Sequence, residues 1–411
     1  MKKTLVLVLA ALLILGSASI ASAADTASTP TLTTDPITLK VWESEGTEKD
    51  FILQAGAEFT KLYPNITIEY EPVGNVDADA KIALDGPAGV GPDVFTTAHD
   101  HMGAIAAAGS AAPVSNPADV TDHFAPGGVT AASYDGTIYG YPVSVETYAL
   151  FYNTDLIKEA PKTWDDVINF CKTFNDPAQN KYGIVWETGN SYFDYMFLSA
   201  YGADLFGPGG DDPAQHMINS DQAIKGLTYF QGLRKQILDV NAADMTGDYC
   251  NAAFQSGNAA MYIVGPWKIA DFKATAGLNF AITTLPAFPE RTTPPTSFAG
   301  YRVMCVSAFS EHPAEAQALL SFLASKDMLT LRYQITSQIP CRKDITVDDA
   351  YSQGILAQGA YAKPMPSIPS MGQYWTSMGS AFGNIWNGND VKTELDAAAA
   401  AVEAATATAA K

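Results

Sequence analysis

The feature that most constrains the fold is a strand–helix–strand unit near the start of the chain. Leu39 and Val41 alternate with Lys40, and Trp42 ends that run. Ile52, Ala55, Phe59 and Leu62 then recur at helical spacing until Pro64 stops them. Ile66, Ile68 and Tyr70 alternate with Thr67, Glu69 and Glu71, which predicts a second strand. Two strands joined by one helix make a βαβ unit with a right-handed crossover. Gly91-Pro92-Asp93 introduces a third short strand, Val94 to Thr96, so the chain opens as an α/β sheet. Ligands of open α/β sheets bind beyond the carboxyl ends of the strands. Two segments fall there, Glu43 to Thr47 and Thr97 to Gly103, and Asp100 is the carboxylate best placed to meet a ligand.

A second informative stretch is Thr137 to Ile157, which has strand-like apolar and aromatic content on both sides of Pro142. Proline cannot donate to a sheet ladder, so Pro142 argues against one strand running unbroken through it. Glu146 lies among apolar neighbours, and an unpartnered buried charge is costly, so it is either paired or kept for a ligand. The stretch reads as a crossing between two lobes, with Ile138 to Val143 finishing one and Thr147 to Tyr152 entering the other.

Further along, Thr163 with Asp166 three residues on forms a capping-box pattern for a helix. Ile184 to Trp186, Ala259 to Val264, Phe280 to Leu285 and Val303 to Val306 read as strands. Ile224 to Ile237 and the run from Pro313 read as helices. Pro364 to Pro369 is too proline-dense for either and is expected to be extended. The alanine-rich segment from Asp390 reads as a helix that frays at its end. Trp42, Trp164, Trp186 and Trp386 are expected to pack in cores.

Residues 1–23 carry Lys2 and Lys3, an apolar run from Thr4 to Gly16, and Ala21-Ser22-Ala23, the pattern of a secretory signal peptide cleaved after Ala23. Residues 24–36 are rich in Thr, Ser, Ala and Pro and read as a disordered leader. No later run is apolar for the length a membrane span needs. With no cysteine near the cleavage site, a free periplasmic protein is expected, without a lipid anchor. The net charge of −20 becomes −22 once Lys2 and Lys3 leave with the leader, which disfavours nucleic acid as a partner. Cys171, Cys250, Cys305 and Cys341 form no C-x-x-C pair, and buried free thiols are expected.

The motifs LKVWESEG, GPDVFTTAHD, GYPVSVETYALFYN, PKTWDD, FQSGNAAMYIVGPW and PSIPSMGQYW follow one another in an order that resembles the periplasmic maltose-binding protein family, solute-binding components of ABC importers. The likeness runs from about Ile37 to Leu395. It implies two α/β lobes with a ligand cleft between them, here residues 37–144 with 299–345, and 145–298 with 346–405, leaving 406–411 as a tail. It implies an oligosaccharide ligand, a membrane permease partner, a monomer, and no catalysis or cofactor. By that resemblance Asp100 and Glu146 hold sugar hydroxyls from the first lobe, while Tyr192, Trp267 and Trp375 stack on sugar rings from the second. The chain departs from the family pattern at several places. The acid–lysine pair after the first strand falls near Gly46 and Thr47, leaving Glu45 as the nearby acid. The basic residue after the Asp is His101, Thr97 replaces an aromatic, and the acid before Tyr192 falls near Asn190, with Glu187 close by.

The chemistry is coherent without the family. Carboxylates accept hydroxyl donors strongly, and aromatic rings cover a sugar's C–H face at low entropic cost. The rival readings are a glycoside-acting enzyme using Asp100 and Glu146, and a binder of an anion or ferric iron. Anion sites favour Arg or helix N-termini, whereas these segments offer acids and aromatics. His99-Asp100-His101 has no supporting metal-ligand cluster elsewhere, so no metal is expected.

Overall fold

The computed structural model describes residues 32–207, 209–368 and 370–409, so the signal-peptide stretch and most of the expected leader lie outside the described residues. From Thr34 onward the chain forms one contiguous unit built on two large sheets, with a two-stranded ribbon of Ser133–Tyr134 and Thr137–Ile138 beside them.

The opening βαβ unit forms as its periodicity requires. Ile37–Glu43 pairs in parallel with Ile66–Pro72 across the whole length of both strands. The connecting helix, Thr47–Leu62, buries Phe51, Ile52, Ala55 and Phe59. Gly56 lets it approach closely, since a Cβ there would sit 3.0 Å from Ile68 Cβ. The strand Val94–Ala98, buried throughout, adds to the free edge of the first strand.

The first sheet is completed by a long antiparallel strand from late in the chain, Phe298–Ser307, which extends the expected Val303–Val306 segment at its N-terminal end. It pairs with Val94–Ala98 and with Gly140–Thr147. The latter strand corrects an expectation, because Pro142 lies inside it. The register slips there: Ser144 faces Arg302 and Pro142 faces Val303, so Val143 is an extra residue. A bulge of this kind interrupts the ladder locally, which is where a residue without an N–H is tolerated. The strand therefore runs unbroken to Thr147, and the crossing falls at Tyr148.

The second sheet has the order Phe280–Thr283, Ala149–Asn153, Ala259–Val264, Tyr182–Val185. Its core is aromatic. Trp186 meets Trp164 edge-on at 6.2 Å and Trp386 at 5.5 Å, and Phe230 packs on Trp386 at 4.9 Å. These tryptophans, with Trp42 in the first lobe, are fully buried. The capping box forms, with Asp166 N donating to Thr163 Oγ1 and Thr163 N donating to Asp166 Oδ2. All four cysteines are buried and free. Burial pushes the Cys171 thiol up to about 12.

The crossings between the two sheets are tied to one another. Thr147 Oγ1 donates to the Phe298 carbonyl at 2.7 Å and lies 2.8 Å from Ser297 Oγ. A third crossing precedes the helix Ala350–Gly359, where a Cβ on Gly354 would sit 2.6 Å from the Ile282 carbonyl of the second sheet. The chain then touches the first sheet again at Lys363–Pro364, which pair with Phe298 and Ala299. Its final helices, Ser370–Trp386 and Val391–Ala409, contribute to the second core. The expected tail from residue 406 is thus helical to Ala409.

Candidate functional site

Between the two sheets lies a cavity of about 590 Å³ with walls from both. The first lobe supplies Asp100, His101, Glu146 and Arg302. The second supplies Glu187, Asn190, Tyr192, Phe193, Trp267 and Trp375, with Met365 closing the floor.

Asp100 sits in a 3₁₀ turn, His99–His101, directly after the buried strand Val94–Ala98. Its Oδ2 accepts from Trp375 Nε1 at 2.9 Å, a bond that spans the two lobes. Its Oδ1 is buried without a hydrogen-bond partner among the described residues. Native proteins rarely leave such an atom unpaired, so an unmatched acceptor on a cavity wall points to a ligand donor. His101 Nδ1 is 2.8 Å from Asp79 Oδ2, and its Nε2 is 3.4 Å from Asp100 Oδ2. Burial disfavours its cation, but the Asp79 hydrogen bond and the charge of Asp100 outweigh that and raise its pKa. His99 is engaged elsewhere. Tyr301 N donates to its Nδ1, which leaves Nε2–H to donate to the Met365 carbonyl at 3.0 Å.

Glu146 projects from the crossing strand and is paired, with Oε2 3.4 Å from Arg302 Nε. Arg302 is the charged cavity residue that the sequence did not single out, as it did not single out Asn75, Val76 and Met365. Its signal was a lone Arg at the head of an apolar strand, the same anomaly that drew attention to Glu146. Beneath it lie Glu43 and Glu48, and beyond them Arg332 Nη1 holds Glu43 Oε2 at 2.9 Å. Burial opposes ionisation of Glu43, but Arg332 and Arg302 lower its pKa overall.

The second-lobe wall is aromatic. Tyr192 packs edge-on to Tyr148 at 5.0 Å and Phe193 at 5.3 Å, with Trp267 at 6.3 Å. Its hydroxyl is buried without a partner among the described residues. Burial, with Glu146 and Asp100 nearby, pushes the phenol well above its ordinary value, so it remains a donor. The turn that carries Tyr192 is anchored by Asp194, which accepts from Trp186 Nε1 at 2.8 Å and Gly189 N at 2.7 Å. Burial pushes Asp194 up to about 8 against those two donors. Trp267 follows the buried strand Ala259–Val264, and its indole folds back over Gly265. Glu187 lies near Asn190, at 3.4 Å, and burial raises its pKa.

Six expected site residues, Asp100, His101, Glu146, Tyr192, Trp267 and Trp375, thus line one cavity. Glu45 does not: it is exposed, and the cavity wall does not include it. A second cavity of about 610 Å³ lies beyond Met365, against Gly207, Gly209, Gly210, Asp211 and Tyr134. Among the described residues its lining has neither a tryptophan nor an orphaned buried polar side-chain atom.

Two lobes around a cleft that joins an aromatic wall to unmatched acceptor and donor atoms define a solute-binding protein. The comparisons agree: residues 54–359 match the family described as bacterial extracellular solute-binding protein, and the chain belongs to that family, which places it outside the cytoplasm. A galactooligosaccharide-binding protein of Bacillus subtilis is 32% identical over 88% of this chain and 87% of its own. The Thermus thermophilus maltotriose-binding protein, solved with maltotriose, superposes with a TM-score of 0.81 at 26% identity, covering 90% of this chain and all of its own. An extracellular solute-binding protein of Staphylococcus aureus, solved with maltose, has a TM-score of 0.70 and 30% identity, covering 91% of this chain and 99% of its own.

Proposed function

We propose that this protein captures a maltodextrin or a related neutral oligosaccharide in the interlobe cleft and delivers it to the membrane permease of an ABC importer. The observation that carries the reading is the opposition of Tyr192, Trp267 and Trp375 to Glu146 and to Asp100, whose Oδ1 has no partner among the described residues. A pyranose has both complements: a C–H face for the rings and an edge of hydroxyls for the carboxylates. The solved relatives that hold maltose and maltotriose support an α-glucan ligand. The Bacillus subtilis relative favours a galactooligosaccharide as the second reading. Binding is accompanied by hinge closure about the crossings at Tyr148, Ser297 and the segment before Ala350. The lobes meet there, so residues 37–147 with 298–349 move against 148–297 with 350–405, a few residues from the bounds expected at 144/145, 298/299 and 345/346. The protein works as a free periplasmic monomer, with its leader removed. It makes and breaks no bond, in keeping with a family and relatives described as solute-binding proteins.

Isothermal titration with maltose, maltotriose, longer maltodextrins and galactooligosaccharides tests this. Micromolar or tighter binding of at least one, with a change in tryptophan fluorescence, is expected. Silence across the panel refutes the sugar reading, and release of reducing ends from a sugar polymer favours the enzyme.

A further inference from the structure

We propose that Arg302 contacts the sugar itself, its Nη2 and the Oε1 of Glu146 forming a donor–acceptor pair for two neighbouring hydroxyls of an uncharged ring. This rests on the oligosaccharide reading above. Arg302 lies in the long strand Phe298–Ser307, between Ala98 on one side and Ser144 on the other. Glu146 faces Gly300, two residues earlier. The missing side chain at Gly300 is what lets Glu146 lie over the strand, since a Cβ there would be 3.3 Å from Glu146 Cγ.

The guanidinium is nearly enclosed, at 7% side-chain exposure, and its donors are used unevenly. Nε faces Glu146 Oε2 at 3.4 Å, while Nη1 takes Ser44 Oγ at 3.2 Å and approaches Glu48 Oε1 at 3.4 Å and Glu43 Oε1 at 3.6 Å. Among the described residues Nη2 donates to nothing, and Glu146 Oε1 accepts from nothing. Neither atom is fully buried, and both belong to residues that line the cavity. A role limited to neutralising the carboxylates beneath explains less. Glu43 already has Arg332 at 2.9 Å, and Glu48 accepts from Gln338 Nε2 at 2.7 Å. What the fork adds is a fixed N–H edge beside a fixed carboxylate oxygen, matched to a vicinal diol.

The same geometry selects against charge. Asp100, Glu146 and Glu187 line the cavity, and Glu43 and Glu48 back Arg302. A uronic acid would bring a further negative charge into this enclosure, where among the described residues the one lining guanidinium is already shared among glutamates and the His101 imidazole is held by Asp79 and Asp100.

The test uses the mature protein, its Arg302→Lys variant, and a panel of monodeoxy analogues of whichever sugar the parent binds. Lys keeps a cation among the glutamates but loses the planar fork. We expect the variant to keep a cooperative melt and to lose about ten- to a hundredfold in affinity, the range for a hydrogen bond to a charged group. In the parent, removing one of two adjacent hydroxyls should cost a similar factor, and in the variant that same removal should cost almost nothing. Equal losses from each deoxy analogue in both proteins would overturn the proposal and leave Arg302 a structural counterion. Should the variant fail to fold, the parent alone decides: an oligosaccharide ending in a uronic acid that binds as tightly as its neutral counterpart overturns it. If the parent binds no sugar, it is the oligosaccharide reading that fails.

Discussion

Gly265→Ala should weaken ligand binding while leaving the fold intact. Gly265 has φ −99° and ψ 179°, a conformation open to any L-residue, so the backbone does not require glycine. The obstacle is the neighbouring indole. A Cβ at this position would lie 1.9 Å from Trp267 Cζ3 and 2.2 Å from Cη2. Restoring even a tight 3.4 Å separation moves the ring by about 1.5 Å, away from its present place on the cavity wall. If the ring covers a sugar face, that retreat uncovers roughly 50 Å² of apolar contact, about a quarter of what an aromatic side chain buries. At about 25 cal/mol per Å² this is about 1.2 kcal/mol. Loss of favourable ring geometry adds roughly 0.5–1.5 kcal/mol. The expected decrease is therefore about 20- to 100-fold in affinity. Stability should not fall in step, because replacing Gly by Ala at a permitted backbone angle gains roughly 0.4–1 kcal/mol from the unfolded chain. Titration calorimetry reads the affinity and a thermal melt reads the fold. Trp267→Ala supplies the control: it should lose at least as much affinity, and the double variant should be no worse than Trp267→Ala alone. Unchanged affinity in Gly265→Ala, or strictly additive losses, would show that the indole does not face the ligand.

Three other outcomes are expected. Asp100→Asn keeps the shape of the side chain but removes its charge, and should cost about tenfold or more in sugar affinity with little change in the melt, read by calorimetry. Gly140→Ala should destabilise by about 1–3 kcal/mol in urea unfolding with affinity retained in the folded fraction, because its Cβ would meet the Met304 carbonyl at 2.4 Å and Val303 Cγ1 at 2.6 Å. Its neighbours are backbone and core, so they cannot move aside as an indole can. His101 has a raised pKa in the folded state, its burial outweighed by the Asp79 hydrogen bond and the charge of Asp100. The folded protein therefore holds this proton more tightly than the unfolded chain, and the stability it confers is full below about pH 6.5 and is lost as pH rises through the folded value. Urea unfolding between pH 5.5 and 8.5 should show the difference between parent and His101→Gln shrinking as pH rises, and a difference that grows would refute the assignment.

The sequence alone determined what depends on neighbours in the chain. The βαβ opening, the capping box at Thr163 and the strand Ala259–Val264 are written in periodicity and local hydrogen-bonding chemistry, and so they form where the pattern puts them. Asp100 and Glu146 stood out from the chain itself, Tyr192, Trp267 and Trp375 through the family resemblance, and all five line one cavity. Only the tertiary structure decided which of these groups are free. Pairing between strands that are more than 150 residues apart sets Arg302 beside Glu146, and no local pattern encodes that register. The same pairing absorbs Pro142 in a bulge, where the proline rule alone predicted a break. Glu45 and Glu43 are two residues apart on one short segment, yet one is exposed and the other is buried between two arginines. A carboxylate's fate depends on which cations the fold brings to it, and these cations arrive from the far end of the chain.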